Sequence, residues 1–446
     1  MKYLFIALAL SLMIPFASNA QDENKDFGIK WSGYVKNDVI YNTRLITSAR
    51  GEGELNLLPY PILLNEFDDD INAVPTFNMI GFDTRLTGKI TGPDAFGAKT
   101  SGLIEGDFYG SGAAYKFLFR MRHAMMKFDW EKTQLMAGQY WHPTFVTDCF
   151  PATLAFGAGV PFNPLSRNPQ IRYTYKLDES MSVYGAILSQ GMFKSSGVNG
   201  DFTQKQSGLP EIHAQFQYKK DNMAAGLGIN FQSLRPATTF DVYNPADSLD
   251  DFSTTIVSKE NVTGLSFLGY FKMKLKPVTI KWWGLYGQLN DNMVMMGGYY
   301  PMIDTTLTLA DLENEYITYT PITALTTWFE VHTNGEKMQV GLFAGYSSNM
   351  GAKLAAHQEI AAAYVGRWGN VKSAMRVAPR IAWFSGKSTI GLELEYTSAG
   401  YATQKLLDNG SVDPDGDPGG IDETGKVTNW ETANNIKVLC SFKYDF

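Results

Sequence analysis

Two cysteines in 446 residues, Cys149 and Cys440, exclude a disulfide-dense scaffold. Histidine is as scarce: His123, His142, His213, His332 and His357 offer no H-x-x-x-H pair, and no G-x-S-x-G elbow occurs. The acidic, Gly-rich "DPDGDPGGIDE" lacks the twelve-residue order of an EF-hand and reads as a solvated loop. No catalytic residue, metal ligand or cofactor site is therefore expected. Charged residues make up only 19%, the net charge is −7, and no basic run suggests nucleic acid. No segment beyond the N-terminus is apolar enough to cross a bilayer as a helix, which needs about 20 residues.

What is present begins with "MKYLFIALALSLMIPFASNA", a basic residue, a short apolar run and small residues at Ser18 and Ala20. This pattern predicts a secretory signal peptide over 1–20, leaving 21–446 as the mature domain. Aromatics reach 13% and glycines number 42, yet mean hydropathy is −0.17. Alternating oily and wet faces give that mixture, because the two cancel in the average.

The alternation is explicit at the C-terminus. Ile436, Val438, Cys440, Phe442, Tyr444 and Phe446 share one face of an extended strand, and Lys437, Ser441, Lys443 and Asp445 the other. Sixteen such period-two segments span the mature chain, among them "IKWSGYVKNDVIY", "PQIRYTYKL" and "STIGLELEYTS". Short connections rich in turn residues ("KLDES", "KKDN", "TNGEK", "SGKS") alternate with long ones such as 42–75, 141–168 and 400–431. The expectation is an all-β fold: a 16-stranded antiparallel transmembrane β-barrel with short periplasmic turns and long extracellular loops. A closed barrel must pair its last strand with its first, since hydrocarbon leaves an open edge unsatisfied. That explains strand patterning held to the final residue, a terminus that resembles the signal read by barrel-assembly machinery.

The stretches "FDTRLTGKITGPDAFGAKTSGLIEGDF" (82–108), "FRMRHAMMKFDWEKTQLMAGQYW" (119–141), "VKSAMRVAPRIAW" (371–383) and "LELEYTSAGY" (392–401) resemble the DcaP-like group of trimeric outer-membrane porins. The resemblance implies a homotrimer of water-filled diffusion channels for small hydrophilic solutes in a Gram-negative outer membrane. Its partners would be outer-membrane lipid and lipopolysaccharide, and it would not be an enzyme. It also implies an inward-folded third loop, here "HPTFVTDCFPATLAFGAGVPFNPLSRN". Such an apolar stretch is costly on an exposed surface, so it either enters the lumen or covers a subunit contact.

Strand phase then assigns the lumen wall. Arg85, Arg120, Arg122, Arg172, Arg376 and Arg380 fall on it with Glu105, Asp107, Glu393 and Glu395. A cationic side chain facing lipid at the midplane would cost about 2–4 kcal/mol, which argues that the six arginines face water. Arg120 and Arg122 share parity with Met126 and Phe128, so either a bulge switches the faces or these arginines sit near the rim. Acids can balance the arginines: Asp83 for Arg85, and Glu393 or Glu395 for Arg376 or Arg380. The basic excess instead predicts a preference for small anions. The alternative is a substrate-selective channel with a binding site for a carboxylate or phosphate solute.

Overall fold

A computed structural model describes residues 27–49, 55–110, 115, 117–198, 200–243, 253–304, 317–354, 358–360, 364–405 and 416–446. The expected signal peptide, His357 and part of "DPDGDPGGIDE" lie outside them.

The wall consists of sixteen antiparallel strands in chain order. They are β1 (Gly28–Asn42), β2 (Thr76–Ile80 continued by Arg85–Thr91), β3 (Lys99–Asp107), β4 (Arg120–Asp129), β5 (Thr133–Trp141), β6 (Arg167–Lys176), β7 (Met181–Leu188) and β8 (Glu211–Lys220). The second half is β9 (Met223–Leu234), β10 (Val262–Lys274), β11 (Val278–Gln288), β12 (Ile317–Thr333), β13 (Met338–Ala352), β14 (Val371–Ser385), β15 (Ser388–Ala402) and β16 (Trp430–Asp445). Each pairs with the next, and β1 closes on β16 from Tyr34↔Asp445 to Asn42↔Lys437. Connections at one end are short, such as 221–222 and 386–387, and those at the other are long, such as 43–75 and 142–166. The sixteen-stranded closed barrel read from the alternation is the observed fold.

Period two explains the wall. Along β16, Asn435, Lys437, Leu439 and Ser441 are buried, while Ile436, Val438, Phe442 and Tyr444 are exposed on the outer face. An outer face of large apolar side chains is what hydrocarbon requires. Two irregularities re-aim side chains. Between Tyr34↔Arg85 and Asp38↔Ile80, four residues of β2 oppose three of β1, and this bulge delivers Asp83 to Lys36 at 2.9 Å. On β4 the register shifts between Glu105↔His123 and Gly106↔Met121, so Arg122 and His123 are both buried while Met121 and Met126 face outward. Of the two readings for this strand, the bulge holds.

The lumen is not empty. A large apolar core fills the side facing β10–β16, joining wall residues Trp283, Trp328 and Phe343 to Leu58 of the first long loop, Val146, Cys149 and Phe162 of the third, and Met293, Met295 and Met296 of the sixth. Three loops therefore fold inward where the sequence predicted one. Cys149 belongs to this core; burial pushes its thiol up to about 12, and both cysteines are free.

The seam between β1 and β16 ends on a reciprocal pair, Gly33 N–H to Phe446 O at 3.3 Å and Phe446 N–H to Gly33 O at 3.0 Å. A Cβ at Gly33 would sit 2.2 Å from Arg85 O and 2.7 Å from the Phe446 ring. Gly33→Val should destabilise the closed seam by about 1–3 kcal/mol through overpacking. Deleting Phe446 removes the seam's last pair. Both changes should reduce the compact, heat-modifiable species on unheated gels, and undiminished folded barrel in both would contradict this role of the seam.

Candidate functional site

The third long loop, residues 142–166, crosses the lumen and is held by charged wall side chains bonded to its main chain. Glu393 on β15 accepts from Leu154 N–H at 2.8 Å and Ala155 N–H at 3.2 Å. Glu330 on β12 accepts from Ala152 N–H at 2.7 Å. Lys36 on β1 donates to Leu154 O at 2.9 Å, Lys281 on β11 to Phe150 O at 3.0 Å, and Arg376 on β14 to Val160 O at 2.6 Å. Irregular backbone inside a barrel leaves its peptide groups without ladder partners, and these side chains supply them. Charged partners make such bonds roughly twice as strong as neutral ones. Gly391 permits the close approach, since a Cβ there would lie 2.4 Å from Leu154 Cδ1.

On the opposite side stands a cluster built by β2, β3 and β4. Arg120 meets Asp107 at 2.5 Å; Arg122 meets Asp107 at 2.6 Å and Glu105 at 2.7 Å. Arg85 lies 3.6 Å from Glu105, a looser pair. Asp83 is not the partner of Arg85: it is taken by Lys36 and by the Tyr34 hydroxyl at 3.1 Å. The cation-over-ring contact of Arg85 with Tyr34, at 5.0 Å, completes the face.

Between loop and cluster lies a cavity of about 510 Å³. Arg85, Arg122, Arg167, Arg380, Lys36 and Lys443 border it, opposite the loop's 152–158 strip. The structure thus brings Arg85, Arg120, Arg122, Glu105 and Asp107 into one cluster and sets Arg380 across the cavity. Arg380 reaches over Gly341 to Glu330 at 2.7 Å, and its Nη1 has no hydrogen-bond partner.

The other predicted positions do different things. Arg376 is 4% exposed and engaged on every side, by Glu395 at 3.1 Å, Thr397 at 2.9 Å, Val160 O, and Leu57 O of the first loop at 2.6 Å. It clamps two loops to the wall and does not face open water. Glu395 also holds Lys437 at 2.6 Å, while Glu393 pairs with loop amides and with neither arginine. Arg172 sits apart, on Gln170 at 2.8 Å and over the Tyr184 ring at 4.6 Å.

Strand phase also places Lys281 and Glu330 on the lumen wall without marking them as site residues; sequence reasoning missed Arg167 and the inward folding of the first and sixth loops. The apolar "NLLPYPILL" and "MVMMGGYY" carried the same signal as the third loop. The first loop is fixed by Arg44, which meets Asp70 at 2.5 Å and the carbonyls of Tyr60 and Pro61 at 2.8 Å. The third and sixth meet through Leu165 N–H to Met293 O at 2.8 Å.

This wall and strap can be set beside solved structures. The outer membrane channel DcaP of Acinetobacter baumannii superposes with a TM-score of 0.64 at 14% identity, over 94% of this chain and 97% of that one. An anion-selective porin from Comamonas acidovorans gives 0.51 at 10% identity, over 94% and 100%. In-vitro folded OmpT of Vibrio cholerae gives 0.50 at 9%, over 95% and 99%. What they share with this chain is the fold. No protein-family model and no curated protein sequence matches it. The resemblance to DcaP-like porins read from the sequence holds at the level of that fold.

Two predictions follow from the strap. Arg376→Gln removes donors from Val160 and Leu57 and leaves the buried Glu395 with Lys437 and the Thr397 hydroxyl; losing one partner of a buried pair costs about 3–5 kcal/mol. Both loops should loosen, and single-channel conductance should rise; unchanged conductance in a folded variant would contradict the clamp. The second concerns Asp291 in the sixth loop. Burial pushes its carboxyl from the ordinary 3.8 up to about 6, against a hydrogen bond from Ser195 and the charge of Arg367, with Glu211 pushing the same way as burial. A carboxyl raised on folding stabilises fully below its ordinary range, and the contribution is lost as pH rises through about 6. Hydrogen exchange of residues 289–296 should be slower at about pH 5 than at about pH 7 beyond the intrinsic difference. Asp291→Asn should abolish the excess.

Proposed function

We propose that the chain is an outer-membrane diffusion channel for small hydrophilic solutes that prefers small anions. The observation that carries this reading is the cavity between the strapped third loop and the arginine cluster. The closed barrel with an apolar outer face supports a place in an outer membrane, in contact with lipid and lipopolysaccharide. The resemblance supports assembly as a homotrimer, and the basic, apolar and small-residue pattern of the N-terminus supports removal of residues 1–20. Recognition of the C-terminal strand by assembly machinery agrees with the seam at Phe446. No catalytic step is assigned to the chain.

The charge balance sharpens the preference. Arg376 is neutralised within the protein, so it contributes little to the field of the passage. Arg85, loosely paired, and Arg380, paired with Glu330 through one nitrogen, border the cavity directly. A charged passage with low-dielectric walls concentrates counter-ions. Anion selectivity is a stated property of the Comamonas porin that shares the fold. The acids of the long loops, such as Asp68 and Asp69, are exposed and screened over about 8–10 Å at physiological salt.

Planar-bilayer recordings under a salt gradient test the proposal. The wild-type channel should give a reversal potential on the anion side. Arg85→Gln with Arg380→Gln should move it toward cations, with a shift that shrinks as salt rises. A wild-type channel that prefers cations would overturn the selectivity, and a folded barrel that conducts nothing would overturn the channel.

A further inference from the structure

Several glycines on the outer face of the wall are covered by a neighbouring ring. A Cβ at Gly33 would meet the Phe446 ring at 2.7 Å, and one at Gly88 the Trp31 ring at 2.9 Å. At Gly269 and Gly284 it would meet the Trp282 ring, at 3.3 and 3.1 Å. Each ring closes the gap that a missing side chain leaves in the face turned to hydrocarbon. Gly185 on β7 is different. It points outward between the exposed Val183 and Ile187, and the nearest described atom of another strand to a Cβ there would be His213 O at 4.0 Å.

Strand register widens this gap. Tyr173, Gly185, Ala214 and Ile229 stand side by side across β6–β9, so the two central positions of the row have almost no side chain. Over Ala214 lies a hollow of about 410 Å³, bordered by Val183, Phe216, Leu227 and Ile229. These borders are apolar, and Leu227 is 69% exposed. An unfilled hollow forfeits the dispersion contacts of its lining, so a hydrocarbon chain is favoured there.

The same outward row of β8 continues through Phe216 and Tyr218 to Lys220, which is exposed beside the short turn 221–222. From Ala214 to Lys220 the strand rises about 20 Å. At a tilt of about 45° this is about 14 Å along the membrane normal, within one half of a hydrocarbon core about 30 Å thick. A chain in the hollow therefore belongs to the leaflet at the short turns. Lys220 stands at the headgroup level of that leaflet, where a lysine lays its stem along apolar wall and its ammonium among anionic lipid groups.

We propose that the hollow is a lipid site: an acyl chain of a phospholipid from the short-turn leaflet fills the gap over Gly185 and Ala214, and Lys220 meets its phosphate. The inference uses the place of the barrel in a membrane and not its conduction, so a barrel that conducts nothing leaves it standing.

The full-length barrel, purified in detergent and stripped of lipid, should be titrated with phosphatidylglycerol in one series and lipid A in another, with bound lipid counted by native mass spectrometry. Wild type should take up phosphatidylglycerol saturably. Gly185→Leu with Ala214→Leu fills the hollow and should raise the half-saturating concentration about tenfold or more, the scale of two buried methylenes. Lys220→Gln should raise it about fivefold, the scale of one lysine at an anionic lipid surface. If the double variant does not fold, Gly185→Leu alone carries the test. Absence of saturable uptake in wild type, or uptake unchanged in either variant, overturns the proposal. Uptake of lipid A in preference to phosphatidylglycerol would assign the hollow to the opposite leaflet and overturn the phospholipid. Cross-linking of two copies through Ala214→Cys, beyond that of wild type, would make the hollow a subunit contact and overturn it as well.

Discussion

The rest of the structure depends on one kind of contact: a charged wall side chain bonded to a peptide group of the third loop. Glu330 and Glu393 receive its amides, and Lys36, Lys281 and Arg376 reach its carbonyls. A loop that enters a barrel leaves its main chain without ladder partners, and burial makes each unpaired group costly. The wall charges are spent on this task. Once they have fixed the loop, its apolar side chains can pack against Trp328 and Phe343, and the apolar core closes that side of the lumen. What remains beside it is the cavity along the arginines.

The arrangement separates two roles that look identical in sequence. Arg376 and Arg380 sit four residues apart on the same face of β14. Arg376 meets two loop carbonyls and a carboxylate and becomes a clamp. Arg380 crosses Gly341 to Glu330, borders the cavity, and keeps one nitrogen without a hydrogen-bond partner. Residue type and strand phase set both on the lumen side. Which one contributes to the field is decided by loop atoms that come from far along the chain.

This shows how much was legible beforehand. Strand number, closure and the third loop were readable because period two and turn chemistry are local. The alternation from Ile436 to Phe446 names its own two faces. The bulge on β4 was readable as a conflict of parity between Arg122 and Met126. The partners were not: Asp83 turns to Lys36 because β2 gains a residue against β1, and Glu330 gathers Arg380 across an intervening strand. Arg167 was hidden for a related reason. It opens β6 before the alternating run, and the Trp141 ring against it ends the neighbouring strand β5. The apolar runs of the first and sixth loops lie in stretches read as long connections, and only the third was expected to turn inward.

The central claim is that solutes pass along the arginine cluster while the apolar side of the lumen stays closed. Thr389 and Ala378 are small, lumen-facing residues on the two sides: Thr389 borders the cavity and is half-buried, and Ala378 is fully buried in the apolar core. Single-channel current should be measured during treatment with a charged, thiol-specific reagent, for Thr389→Cys and Ala378→Cys separately. The account predicts a stepwise fall in current for Thr389→Cys and none for Ala378→Cys. Equal modification at both positions, or modification at Ala378→Cys alone, would contradict it.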